Sequence, residues 1–304
     1  MKVLKFRRSG PPKKTDDEAK VSRYFKDYSD SGKSKPAYML GRLDRSLAAL
    51  ISLCRLRCLR MTPSSGREGL AIRAALLRHS RFWRITGFAA AVILLPDEPG
   101  QYSLGAAKQT LRRKTRQAQK LGVRWAEVND PDERQELLRF ADECERAHPD
   151  ETYRKANPDN GELPSIRLWL VAYAADDRPL LLSVTPVDGE FATLRYFRTL
   201  GSGDAQTNAR YLMTDVLAER LVSLGVRYLV DTTNLFWLTN GLRHFQQMVG
   251  FSVVRIRVGR PRSGPHAIGR ERPVEGAQPA ANLAASPPAG DDAASGTPAD
   301  PVLG

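Results

Sequence analysis

LWLVAYA (168–174), PLLLSVTPV (179–187) and EFATLRYFR (190–198) are three runs rich in apolar, β-branched and aromatic residues, with DDR between the first two and Asp188-Gly189 between the second and third. Asp-Gly in that setting is a strong hairpin signal, because glycine takes the positive φ that tight turns need. The runs therefore predict a three-stranded antiparallel meander. A polar loop, TLGSGDAQTN (199–208), leads into a helical pattern over Ala209–Leu224, which Gly225 stops before the buried strand VRYLVD (226–231). A meander feeding a strand–helix–strand unit makes a mixed sheet with helices on both faces.

Working outward, FAAAVILL (88–95) reads as a buried strand stopped by Pro96. A cationic helix begins near Ser103 and ends before Gly122, VRWAEV (123–128) alternates as a strand, and Pro131–Arg146 is amphipathic with acids in its first turn. Another helix ends at Met248, Gly250 turns the chain, and FSVVRIRV (251–258) closes the sheet. The expected fold is α/β, a basic helical region followed by a mixed sheet.

The expected division is a flexible basic arm at 1–35, a basic helical region and entry strand at 36–95, a catalytic-type domain at 96–258, and a disordered tail at 259–304. The tail is Ala/Pro/Gly-rich and, from Ser263, has no aromatic residue, too little apolar surface to offset its ordering entropy. In the helical region, LDRSLAALISLCRLRCLRM (43–61) places Leu43, Leu47, Leu50, Ile51, Cys54 and Cys58 on one face and arginines over much of the rest. Two readings stay open: a helix packed on the domain by that face, or one lying on a membrane surface.

The net charge of +13 is unevenly placed. Residues 1–124 hold 28 Lys/Arg against 9 Asp/Glu, and the remainder 19 against 25. A basic front attracts phosphate, in nucleic acid, lipid headgroups or an anionic cofactor. Cys54, Cys58 and Cys144 are too few and too poorly spaced for a disulfide framework or a zinc site, so no metal is expected and a reducing compartment is. FAAAVILL is too short to span a bilayer, and the N-terminus lacks a secretory apolar run. The expected location is cytoplasmic, with peripheral membrane attachment compatible with the basic front.

Three strings, in this order and spacing, resemble the GNAT acyltransferase superfamily and within it the FemAB/CelD-like branch: LPDEPGQYSLGAAKQTLRRKTRQAQKLGV (95–123), ARYLMTDVLAERLVSLGVRYLVDTTN (209–234) and GLRHFQQMVGF (241–251). The resemblance covers a little over half the chain. It implies direct attack of an amine on an acyl donor, either acyl-CoA or, in FemAB-like enzymes, aminoacyl-tRNA. The acceptor would be a small-molecule or cell-envelope precursor amine. It also implies that the third meander strand, Glu190–Arg198, and the following parallel strand, Val226–Asp231, splay apart to hold the acyl carbonyl. The N-terminus of the intervening helix would face the donor's phosphates.

Arg198, Gly201 and Gly203 fit the superfamily's phosphate-loop pattern literally. Starting the helix at Gly203 makes it longer than that pattern allows, so the preferred start is near Asn208, with Asn208 as N-cap and Ala209 and Arg210 in the first turn. Asp231, Asn234 and Tyr196 are the candidates for proton transfer, Asp231 because it stands at the C-terminal end of a sheet strand. Arg112, Arg113, Arg116 and Lys120 form a candidate phosphate or tRNA surface. FemAB proteins carry two such domains, and 36–95 is too short for a second. The competing reading is a degenerate GNAT-fold protein that only binds nucleic acid or an anionic membrane through its basic front.

Overall fold

The computed structural model describes residues 15–78, 87–151 and 153–261. The expected tail from 262 onward and the first fourteen residues of the expected arm lie outside them.

Three helices open the fold: α1 (Asp16–Asp30), α2 (Lys35–Gly41) and α3 (Leu43–Arg55). Strand β1 (Cys58–Met61), helix α4 (Arg67–Leu77) and strand β2 (Phe88–Leu94) follow. Next come α5 (Gln109–Lys120), β3 (Arg124–Glu127), α6 (Pro131–Arg146), β4 (Leu168–Tyr173), β5 (Pro179–Thr185), β6 (Val187–Asp188), β7 (Phe191–Leu194) and β8 (Tyr196–Thr199). Helix α7 (Asp204–Ser223), β9 (Tyr228–Asp231), α8 (Asn240–Val249) and β10 (Ser252–Val258) complete it.

The expected mixed α/β architecture is present, with its strands divided between two sheets. One has the order β1-β10-β2-β9-β7-β6 and the other β3-β4-β5-β8. The meander's last hairpin joins them. Its base pairs β5 with β8 in the smaller sheet, and its tip pairs β6 with β7 in the larger. Both faces are covered, which is why the strands read as continuous apolar runs. On β4, Leu168, Leu170 and Ala172 enter the core shared with α1, α5, α7 and α8, while Trp169 and Val171 pack under α6. On β2, Ala91 and Ile93 enter that same shared core, and Ala90 and Val92 pack under α4.

The front of the chain differs from the sequence reading at several points. Residues 16–30 are a helix rather than a flexible arm: Thr15 caps it through Glu18 N, and Val21 and Phe25 are buried in the main core. The helix expected over 43–61 ends at Arg55, and β-branched-poor CLRM still forms a strand because β10 offers it a parallel edge. The apolar face of α3 points outward; its small residues face inward, Ser52 buried and Ser46 bonded to the Tyr24 hydroxyl at 3.0 Å. Nor does the folded body begin at Pro96, since β2 lies between β10 and β9 in the larger sheet.

Candidate functional site

The strands part at Arg195. Up to that residue β7 runs parallel to β9, with Leu194 opposite Asp231. Beyond it β8 stays with β5 and becomes the edge of the smaller sheet. The Thr232 hydroxyl donates to the Leu194 carbonyl at 2.9 Å, closing the apex of the opening. An edge strand keeps backbone N–H and C=O groups without ladder partners, so residues 196–199 keep such groups on the side away from β5.

Asp231 sits at this apex and is buried. Its Oδ1 accepts from Thr233 N at 2.8 Å and its Oδ2 from Gln246 Nε2 at 2.7 Å. Burial pushes its carboxyl above the usual carboxylate range, against the lowering effect of those donors. Asn234 spends its Oδ1 on Phe236 N at 3.0 Å, capping the short turn 235–237. A cavity beside Asp231–Phe236 is walled by Phe25, Lys35 and Leu53 of the front layer.

Tyr196 is not brought to Asp231. It packs in the core under α6, whereas Asp231 faces Gln246 of α8 on the opposite side of the strands. Burial, then the nearby Glu145, pushes the Tyr196 hydroxyl far above its ordinary pKa. Arg198 shares that side: its Nη1 is 3.5 Å from Glu145 Oε1, and Lys155 Nζ is 3.2 Å from the other carboxylate oxygen.

The long helix starts at the glycines after all. α7 has 20 residues, with Gly203 as N-cap at φ 138° and Gly201 at φ 96°. Only glycine takes such a conformation cheaply. Asn208 is therefore a buried residue in the helix's second turn rather than its N-cap, and Ala209 is buried beside it. The polar first turn, Asp204 to Thr207, lacks apolar periodicity, which is why it reads as loop. Arg210 lies with its guanidinium 5.4 Å from the Phe245 ring centroid. Burial, and to a lesser degree Arg198, depresses its proton affinity, while Tyr153 and Tyr211 act the other way. It has no acidic partner among the described residues. Tyr153 bonds Thr239 at 2.8 Å, so the loop after α6 reaches the start of α8 beside this opening.

No family model and no curated protein sequence matches the chain. Solved structures resemble it, among them two at 12% identity. One is L-PGS from Bacillus licheniformis, with a TM-score of 0.39 over 59% of this chain and 65% of that one, so the chain spans less than two thirds of that protein's length. The other is the C-terminal domain (DUF2156) of a putative lysylphosphatidylglycerol synthetase from Agrobacterium fabrum, with a TM-score of 0.43 over 78% of this chain and 92% of that one.

Of the four cations singled out on α5, Arg113, Arg116 and Lys120 are exposed. Arg112 instead turns back to the carbonyls of Ser103 and Gly105 at 2.6 and 2.8 Å. Leu111, Thr115 and Ala118 form the buried face that packs against α7. Among the described residues no group of His, Cys, Asp and Glu is placed to hold a metal ion, and no helix is long and apolar enough to cross a membrane.

Gln246 was missed, although it was legible: Leu242, Phe245, Gln246 and Val249 share one helical face, and a glutamine there needs a buried partner. Glu145 and Lys155 were missed with less to go on, since their meeting with Arg198 depends on the path of a long loop.

Proposed function

We propose that the protein transfers an acyl group to an amine from a phosphate-bearing donor, an aminoacyl-tRNA ester or an acyl-CoA thioester. The observation that carries this reading is the parting of β8 from β9 immediately after the Leu194–Asp231 pair, with a buried carboxylate at the apex. The donor carbonyl would lie along the free edge of β8, where backbone N–H groups stabilise the oxyanion as the amine attacks. A C–N bond forms and the ester C–O or thioester C–S bond breaks. Asp231 takes the proton lost by the amine and returns it to the leaving oxygen or sulfur; a carboxylate with raised proton affinity suits both steps. Arg210 and the first turn of α7 would face the donor's phosphate. The exposed cations of α5, adjoining α7, favour the longer polyanion, tRNA, as the donor. Tyr196 is assigned no catalytic role, because it lies on the other face, and Asn234 shapes the loop.

The test is thermal stabilisation by acetyl-CoA and by tRNA, followed by transfer from each charged donor to a panel of amines. A rise of several degrees with one donor, together with transfer lost in Asp231→Asn, supports the reading. Salt-sensitive tRNA binding with no transfer from either donor would return the protein to the binding-only alternative.

A further inference from the structure

Leu40, Leu43, Leu47, Leu50, Ile51 and Cys54 form a continuous ridge on the outer side of α2 and α3. Leu40, Leu43 and Leu47 are 69, 64 and 59% exposed, and Leu50 and Ile51 over 40%. On α3 they recur at helical spacing, while Ser46, Ser52 and Leu53 face inward toward α1 and the core. Water-facing leucine beside inward-facing serine is the reverse of a helix patterned only to pack on its own domain, and a ridge of this kind marks an interaction surface.

The surrounding charge says what covers it. Arg55, Arg57 and Arg60 stand exposed at one end of the ridge without acidic partners among the described residues. Arg42 and Lys33 are exposed toward the other end, and Asp44 is the one acid within the α3 segment. The sequence before α1 is itself basic, with Lys2, Lys5, Arg7, Arg8, Lys13 and Lys14. A second copy of the chain meeting the ridge face to face would set these cations against one another. An anionic surface with an apolar interior matches both the charge and the leucines.

We propose that the α2–α3 ridge docks on an anionic lipid bilayer, its leucines at the acyl boundary and its cations among the headgroups. The layer that carries the ridge also walls the cavity beside Asp231 through Phe25, Lys35 and Leu53. Docking would therefore hold that cavity close to the bilayer. The docking does not depend on the acyl-transfer reading: a protein that transfers nothing would still bind vesicles through this face.

The experiment uses the full chain with vesicles of phosphatidylcholine alone and of phosphatidylcholine with one quarter phosphatidylglycerol, read by flotation. Binding to the anionic vesicles, weakened by salt, is expected, with at least a tenfold loss in Leu43→Ser/Leu47→Ser/Ile51→Ser and unchanged response to tRNA and acetyl-CoA. A second measurement needs no core variant. Anionic vesicles should shield the exposed Cys54 from a water-soluble maleimide, with Cys54→Ser identifying the labelled site. Absence of vesicle binding, equal binding by the triple variant, or undiminished Cys54 labelling overturns the proposal. So does a dimer in solution that the triple variant dissolves, because the ridge would then be a contact between copies.

Discussion

Gln246 holds Asp231: its side-chain amide donates to Oδ2 at 2.7 Å, from one buried residue to another. Because a glutamine amide can rotate, Asp231→Asn can keep a bond in this position with the roles exchanged. We expect Asp231→Asn to melt at or above the parent temperature while acyl transfer falls at least about 100-fold. Gln246→Leu removes the donor and leaves the carboxylate short of a partner. It should cost about 1–3 kcal/mol, seen as a lower midpoint in urea. A catalytic loss in Asp231→Asn that merely tracked lost stability would refute the assignment.

Stability should carry a mark from Asp215. Burial first, then Glu219, pushes its carboxyl up to about 6, against the pull of Lys108. A carboxyl whose folded pKa is raised stabilises most below its unfolded value and loses that contribution as pH climbs through about 4 to 6. Asp215→Asn should therefore match the parent near pH 4 and exceed it by about 1–2 kcal/mol at pH 7. Lys108 runs the other way. Burial brings it down to about 8, so its penalty eases as pH rises from about 8 toward 10.5. Melting curves across pH for Asp215→Asn and the parent decide this, and parallel profiles would refute it.

The α5 cations predict a salt dependence. Charge reversal at Arg113, Arg116 and Lys120 should leave the melting temperature unchanged, since all three are exposed. It should lower the slope of log affinity for tRNA against log salt by about 2–3. An unchanged slope would place tRNA elsewhere on the molecule.

Glu145 neutralises Arg198 and Lys155 together. Glu145→Gln should cost about 1–2 kcal/mol, because a buried charge cluster loses its only anion among these contacts while both cations keep some access to water. The same change should leave affinity for a polyphosphate donor unaltered, because Arg198 lies with Tyr196 on the side away from Asp231. Thermal melts check the first effect and calorimetric titration with tRNA and CoA the second, and tighter binding would place Arg198 at the opening.

Gly203 holds a φ of 138°, and a Cβ there would lie 3.0 Å from Gln206 Oε1. Gly203→Ala should cost about 1–3 kcal/mol and weaken donor binding by disturbing the first turn of α7. Equal stability in the variant would show that the helix can start elsewhere.

Much of this architecture was legible because its signals are local. Asp188-Gly189 marked the hairpin, continuous apolar runs marked the meander, and Gly225 and Gly250 marked helix ends, with both glycines at positive φ. Asp231 is marked by its place at the C-terminal end of a strand. What escaped depended on distant partners. β1 is a strand because β10 lies beside it, although CLRM has weak β preference. α7 starts four residues before Asn208 because two glycines adopt conformations that no apolar period records. The inward face of α3 is set by how closely α1 approaches its serines, and the hydrophobic pattern alone leaves both orientations open.

The position of β1 and β2 also constrains when the protein can become itself. Cys58 pairs with Arg255, and Val92 has Ser252 on one side and Val230 on the other. The first strands made on the ribosome thus wait for nearly the last before the larger sheet can close. Contacts so far apart in sequence fold slowly and leave apolar strand edges open meanwhile. The hairpin of β4 and β5, joined by a short turn, needs no such partner and is free to form before β1, β2 and β10 come together.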